Sequence, residues 1–351
     1  MSTMRAMVLR ESGGAVRLES VPVPAVAPDG AVVRVRATGV GLTVVIMTAN
    51  PGLVTSFPRI PGHEIAGEVV EVGPLVRNVK PGDRVACHFY LTCHACSYCR
   101  SGRETLCRNF GGYLGMAADG GYAEFVSVPA LNLCKIPEGV SDLEAAVATD
   151  ALATPVHACR EEARIGPGDR VLIVGAGGGV GIHAVQVAKL CGGWVLGADV
   201  ADDKLEMVKA VGGDAVIDGR RGDIAQQALA QTSGQGVDAA LDFVASAETL
   251  EACIRSLAPG GRLVIVGNRP QAVFKKDPTF RVDPGLMLRK MLEIHGSRYV
   301  SLAELETTLE LLRTKRLRAV VTRTFPLEEA ETAHQLLRDN AVVGRAALVV
   351  S

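Results

Sequence analysis

What the chain lacks narrows it first. It has no excess of charge of either sign: 37 Lys and Arg stand against 38 Asp and Glu, for a formal net charge of -1. A nucleic-acid partner is therefore not expected, because the basic face that neutralises phosphates is missing. Long apolar runs are also missing. The longest are interrupted by glycine well before the roughly 20 residues that a helix needs to cross a bilayer. The opening Met1-Ser-Thr-Met-Arg-Ala-Met7 resembles neither a signal peptide nor a transit peptide. There are no internal repeats and no low-complexity tails. The expectation is a cytoplasmic, soluble globular protein with no membrane partner. In that setting the nine cysteines read as thiols or metal ligands rather than disulfides. The 351 residues leave room for two domains, each with its own core.

The most informative stretch is Val171-Leu-Ile-Val-Gly-Ala-Gly-Gly-Gly-Val-Gly-Ile-His-Ala-Val-Gln-Val-Ala-Lys189. Four aliphatic residues read as a strand buried on both faces. Gly175, Gly177, Gly178, Gly179 and Gly181 then form a turn, and from Val180 onward the apolar residues fall at helical spacing. Strand, glycine turn and helix open a dinucleotide-binding unit, with backbone N–H groups and a helix N-terminus aimed at a pyrophosphate. A second strand, Trp194 to Ala198, ends at Asp199, 18 residues after Gly181. An acid there accepts hydrogen bonds from ribose hydroxyls and repels a 2′-phosphate, which favours NAD(H) over NADP(H). Lys204 stands either beside the adenosine ribose or on a solvated helix face.

Before this stretch, residues 1 to about 150 read as short strands punctuated by Pro and Gly, a barrel-like domain. Ser141-Asp-Leu-Glu144 reads as a capping box for a helix to about Thr149, with a second helix from about Thr154 to Arg164. After it, strands and helices alternate to about residue 267 as a doubly wound parallel sheet. Residues 268–285 read as a basic loop, Leu292–Gly296 as one more strand, and helices near 301–314 and 328–338 precede a final strand at 345–350.

Cys93, Cys96, Cys99 and Cys107 place four thiols within fifteen residues. Four thiolates satisfy tetrahedral Zn²⁺ and close the site to substrate, so the expected metal is structural; an iron–sulfur cluster is the other metal such ligands can hold. His88 and His94 read as loop residues beside it.

Together these features resemble the zinc-containing medium-chain dehydrogenase/reductase (alcohol dehydrogenase) family across essentially the whole chain. Gly62-His63-Glu64 with Gly67-Glu-Val-Val-Glu-Val-Gly73 is similar to the family's zinc signature. Pro81-Gly-Asp-Arg-Val85, the four cysteines, Asp150-Ala-Leu-Ala-Thr154, Asp242-Phe-Val-Ala245 and Pro259-Gly-Gly-Arg-Leu263 are similar to further family segments. The resemblance implies an α/β protein with a Rossmann sheet and a mostly β, GroES-like catalytic domain. The implied division is a catalytic domain over 1–153 with its zinc lobe at 93–107, a Rossmann domain over 154–292, and a segment 293–351 returning to the first domain. It also implies a homodimer or homotetramer, and Val266 and Asn268 as cofactor contacts.

The resemblance breaks at one place. Family members take a catalytic zinc ligand from a Cys-Gly-Thr-Asp-x-His stretch, whereas here Ala37-Thr-Gly-Val-Gly-Leu-Thr-Val-Val-Ile46 puts Gly41 at the Cys, Val44 at the Asp and Ile46 at the His. Thr43 alone keeps the hydroxyl that would touch the substrate oxygen. His63, Glu64 and Asp150 remain as N/O donors able to hold a catalytic zinc. Three readings stay open. The chain oxidises an alcohol or reduces a carbonyl with these residues and Thr43. It reduces a conjugated C=C or C=N without catalytic zinc. Or it binds a nucleotide without redox chemistry. The glycine turn, one residue longer than Gly-x-Gly-x-x-Gly, is similar to that of enoyl and quinone reductases, and Val180–Lys189 resembles acryloyl-CoA reductase-like members. Pocket residues are expected from 41–57, 88–92, 110–120 and 268–300.

Overall fold

The computed structural model describes every residue except Met1, Pro51, Gly52 and Thr55, so three positions of the 41–57 pocket segment lie outside the described residues. The chain forms two compact units, Met1–Ala153 with Val300–Ser351, and Thr154–Tyr299.

In the first unit β1 (Thr3–Val8) pairs with β2 (Arg17–Pro22). Then follow β3 (Gly30–Val40), α1 (Leu42–Ala49), β4 (Glu64–Val72), β5 (Arg84–Cys87), α2 (Ser97–Arg100), β6 (Phe125–Pro129), β7 (Leu133–Lys135) and α3 (Asp142–Val147). A helix α1 thus occupies part of a segment expected to be loop. The alternating stretch Val32–Ala37 lies inside β3, but Val33 is buried as well as Val32 and Val35. The ladder with β4 shifts register between Val32 and Val33, so β3 does not keep simple two-sided alternation.

The capping box forms as read: Ser141 Oγ accepts from Glu144 N, and Glu144 Oε2 accepts from Ser141 N. The break expected after Thr149 does not form. Ala148–Leu152 continues as a π-helical turn into α4 (Ala153–His157), and a second π turn covers Ala158–Glu162. Good helix formers sustain helical backbone through both, alanine and leucine in the first, alanine, arginine and glutamate in the second. Such single π turns frequently occur at functional positions, and this one carries Asp150.

The second unit contains β8 (Arg170–Val174), α5 (Gly181–Leu190), β9 (Trp194–Asp199), α6 (Asp202–Ala210), β10 (Ala215–Asp218), α7 (Ile224–Gln231), β11 (Val237–Asp242), α8 (Ala247–Ser256), β12 (Leu257–Ile265), α9 (Gln271–Phe274), α10 (Pro284–Lys290) and β13 (Glu293–Gly296). The six strands are parallel in the order β10-β9-β8-β11-β12-β13. This is the doubly wound order whose switch point lies between the first and fourth strands. Leu172, Leu196, Ile217, Ala240, Leu250 and Leu263 form part of its core. Because β13 pairs with β12, the return expected at 293 comes at Val300 instead. Two short helices occupy the region expected to be a plain basic loop.

The chain then adds α11 (Leu302–Arg313), β14 (Val321–Pro326), α12 (Ala330–Arg338) and β15 (Arg345–Val349) to the first unit. Its seven-stranded sheet runs β14-β15-β3-β4-β5-β7, with β6 on β3. Among the described residues no helix is long and apolar enough to cross a membrane.

Candidate active centre

Strand register builds the centre. In the antiparallel β3–β4 ladder, Gly39 opposes Glu64, the first residue of β4. In the β15–β3 ladder, Ala346 opposes Val40, which sets Arg345 against Gly41. Gly39 and Gly41 are two apart and share a face. A methyl group on Gly39 would overlap the Glu64 carboxylate, and one on Gly41 would overlap the Arg345 guanidinium. The two glycines make the room in which this ion pair sits.

Glu64 is fully buried, and the Arg345 side chain is 3% exposed. Arg345 Nη2 contacts Glu64 Oε1, and Arg345 Nε donates to Glu64 Oε2 at 3.2 Å. Arg345 Nη2 also lies 3.7 Å from Asp150 Oδ2. Asp150 Oδ2 is 3.2 Å from His63 Nε2, and the edge of Phe89 packs on His63 with ring centroids 4.7 Å apart. Burial pulls the Arg345 guanidinium down to about 9, so it remains protonated at neutral pH beside two carboxylates. His63, Glu64 and Asp150 are thus brought together as read. Arg345 was not foreseen; the available cue is a lone arginine heading the apolar run Ala-Ala-Leu-Val-Val.

His63 lines a small recess with Val44, Met47, Leu114 and Met116. Thr48 also lines it, but its hydroxyl already donates to the carbonyls of Val44 and Val45 at 2.9 and 3.1 Å. Thr43 stands half-buried in the first turn of α1. Among the described residues no hydrogen bond joins its hydroxyl to His63. Asp150 lies within the π turn Ala148–Leu152. His88 is not a surface loop residue: it is buried, and its Nε2–H donates to the Val300 carbonyl at 2.9 Å. Burial lowers its pKa, which fits that neutral tautomer.

His63, Glu64 and Asp150 offer donor atoms within 4.8 Å of one another, a spacing that a metal can use. The contents of the centre do not fit one. No thiolate is present, and Arg345 lies against both carboxylates. Two unit charges about 4 Å apart interact by about 4 kcal/mol at an effective dielectric of about 20, so a dication beside the guanidinium meets roughly twice that in repulsion. The three donors that the sequence offers as one possible zinc set therefore already face a cation of the chain itself.

The cysteine lobe is different. Sγ atoms of Cys93 and Cys99 lie 3.9 Å apart, of Cys96 and Cys99 3.5 Å, and of Cys93 and Cys107 3.5 Å. Tetrahedral thiolates on zinc stand about 3.8 Å apart, given Zn–S bonds of about 2.3 Å. Backbone N–H groups of Ala95 and Cys96 pull the Cys93 thiol down to about 6, while burial raises Cys99 to about 12. The four cysteines can hold a metal. Glu104, inside the lobe, accepts from Leu302 N at 2.6 Å and ties it to α11.

In the second unit the glycine turn closes on itself. Gly175 has φ +77°, in the left-handed region. A side chain on Gly177 would overlap Lys204, and one on Gly181 the carbonyl of Gly175. Gly178 and Gly179 continue the turn to Val180, which precedes α5 without a side-chain cap, while Ile182 N and His183 N bond to the carbonyls of Gly178 and Val180. This arrangement fits a dinucleotide pyrophosphate. Asp199, 9% exposed, accepts from Gly177 N and Val200 N, both at 2.8 Å. Lys204 is buried at 4% exposure, so it is not a solvated helix residue. Val266 lies just past β12, its N–H on the Asp242 carbonyl at 3.0 Å, and Asn268 is exposed in the following loop. Asp242, also at the strand ends, accepts from Val244 N and Ala245 N at 2.7 and 2.9 Å.

Known proteins resemble this chain over nearly its whole length. The profile of the alcohol dehydrogenase GroES-like domain matches residues 27–138, and that of the zinc-binding dehydrogenase domain matches 179–314. The chain is 33% identical to the NAD-dependent alcohol dehydrogenase of Sulfurisphaera tokodaii, over 99% of this chain and all of that protein. It is 29% identical to the acryloyl-coenzyme A reductase of Metallosphaera sedula, over 98% of this chain and 99% of that protein. Among solved structures, AibC superimposes with a TM-score of 0.91 at 38% identity, covering 99% of this chain and 96% of that one. The chain is an oxidoreductase and belongs to the zinc-type medium-chain dehydrogenase/reductase, or alcohol dehydrogenase, family.

Proposed function

We propose that the chain moves a hydride between NAD(H) and a small carbonyl or alcohol substrate, with His63 as the group that exchanges the proton with the substrate oxygen. The carrying observation is that His63 lines an apolar recess while its Nε2 is paired with the buried Asp150. When bound, NAD(H) supplies or accepts the hydride at its nicotinamide ring. The rest falls to the chain. Asp150 fixes the imidazole ring and stabilises the imidazolium form. Val44, Met47, Leu114 and Met116 exclude water and select for a small apolar substituent. The glycine turn, Val180, Val266 and Asn268 hold the dinucleotide, Lys204 packs over the turn, and Asp199 selects NAD(H). Zinc in the Cys93–Cys107 lobe is structural. The protein works as a soluble cytoplasmic homodimer or homotetramer on a small molecule.

A second reading has its own support. A conjugated acyl thioester carries an already polarised double bond, so it needs no Lewis acid, and Gly41 with Arg345 has replaced the thiolate side of the centre. Hydride then goes to the β-carbon and a proton to the α-carbon, oxidising NADH to NAD⁺. The acryloyl-coenzyme A reductase relative is consistent with it.

The test is NADH oxidation, followed at 340 nm, against aldehydes, ketones, 2-enones and 2-enoyl thioesters, repeated with His63→Ala. Turnover of simple carbonyls that falls at least about 100-fold in the variant supports the first reading. Turnover confined to enoyl thioesters selects the second. Carbonyl turnover undiminished in His63→Ala removes His63 from the chemistry.

A further inference from the structure

We infer that in this chain the Arg345 guanidinium occupies the place of a catalytic metal, so that His63, Asp150, Arg345 and Glu64 form a metal-free centre with its counter-charge built in.

Three independent observations carry this. The first is room. The strand register sets Arg345 against Gly41, and the guanidinium fills the space that any side chain at position 41 would enter. A ligand from this end of β3 and the guanidinium exclude each other. The second is the donor set. Each carboxylate that could bind a metal already faces the same cation, Glu64 through two atoms and Asp150 at 3.7 Å. The imidazole nitrogen nearest the centre is spent on Asp150 at 3.2 Å. The third is burial. The side chains of His63, Glu64, Asp150 and Arg345 are between 0 and 3% exposed. For a metal to enter, the guanidinium would have to leave two buried carboxylates.

The consequence for function does not depend on which substrate is reduced. Arg345 is a positioning residue: it lies against Asp150, and Asp150 orients His63. A dication at this position would do that task and polarise the substrate as well. A guanidinium buried behind Gly41 does only the first. The electrophilic part then falls to a hydrogen-bond donor lining the recess, or to a substrate that is already polarised.

The test reads metal rather than turnover. Purified protein is loaded with excess Zn²⁺ or Co²⁺, desalted and analysed for metal per chain. The wild-type protein is expected to hold about one ion, in the cysteine lobe. Its Co²⁺ form should show the absorption of a tetrathiolate site and no second, sulfur-poor visible band. Arg345→Met removes the cation, and the second equivalent should then bind roughly 100-fold or more tightly than in the wild-type protein, by chelator competition. Arg345→Lys keeps a cation and should remain at one ion. Two tightly held ions in the wild-type protein would overturn the inference, and this measurement needs no variant to fold. An Arg345→Met protein that folds and still holds one ion would equally overturn it, because the guanidinium would not be what excludes the metal.

Discussion

The first unit carries two groups of metal-type side chains, and they have met the same electrostatic problem in opposite ways. In the lobe, Cys93, Cys96, Cys99 and Cys107 converge at tetrahedral spacing. Backbone N–H groups, which have no net charge, favour the thiolate forms of Cys93 and Cys96. The negative charge is left for a metal to neutralise. At the centre, Glu64 and Asp150 are as close to one another as ligands would be, yet a guanidinium from β15 has already neutralised them. Donor spacing is therefore a poor guide to metal binding by itself. The source of the compensating charge decides it.

The largest expected effect comes from breaking the lobe. Cys93→Ser with Cys96→Ser should remove zinc entirely and lower Tm by on the order of 10 °C, since metal binding here is folding free energy. Metal analysis beside a thermal melt checks both; retained zinc would mean that the ion sits elsewhere. At the centre the same logic predicts a loss without any metal. Arg345→Met strands two buried carboxylates and should cost about 3–5 kcal/mol in a denaturant melt. Adding Glu64→Gln to it should recover part of that loss, so the pair is non-additive. Additive losses would show that the two residues do not compensate one another.

These contrasts explain what the sequence could and could not show. The glycine turn and the cysteine lobe were legible because each is a local pattern whose chemistry is complete within about 20 residues. The doubly wound sheet was legible from the alternation of buried strands and helices. The centre was half legible. His63, Glu64 and Asp150 come from recognisable segments, but Arg345 lies 281 residues from Glu64, and only strand register brings them together. Gly41 reads in the sequence as a lost ligand; in the fold it is the space for a different one. The π turn at Asp150 is not legible because alanine-rich helix looks alike whether its hydrogen bonds close at four or five residues. The return to the first unit comes at 300 rather than at 293, because a short strand such as Glu293–Gly296 does not announce which sheet it joins.

A smaller effect isolates the steric half of the argument. Gly41→Ala adds one methyl group where the guanidinium stands. It should cost about 1–3 kcal/mol, the usual range for overpacking, without adding a zinc ion. A neutral result by denaturant melt would show that Arg345 has room to move aside, and the centre would then be adaptable rather than locked.

The smallest expected change concerns a third buried carboxylate, in the second unit, compensated neither by a metal nor by an arginine. Asp199 is held by the N–H groups of Gly177 and Val200. A carboxylate offers about four acceptor positions, so two donors leave capacity for ribose hydroxyls while the charge still repels a 2′-phosphate. Asp199→Ala should therefore do two separable things. Loss of the brace on the glycine turn should cost about 1 kcal/mol of stability. Loss of the carboxylate should raise KM for NADH and lower it for NADPH, shifting the ratio of kcat/KM by about 10-fold or more, equivalent to about 1.4 kcal/mol of discrimination. If stability falls while the cofactor ratio holds, Asp199 serves the turn alone, and the preference for NAD(H) must come from another residue near the adenosine end.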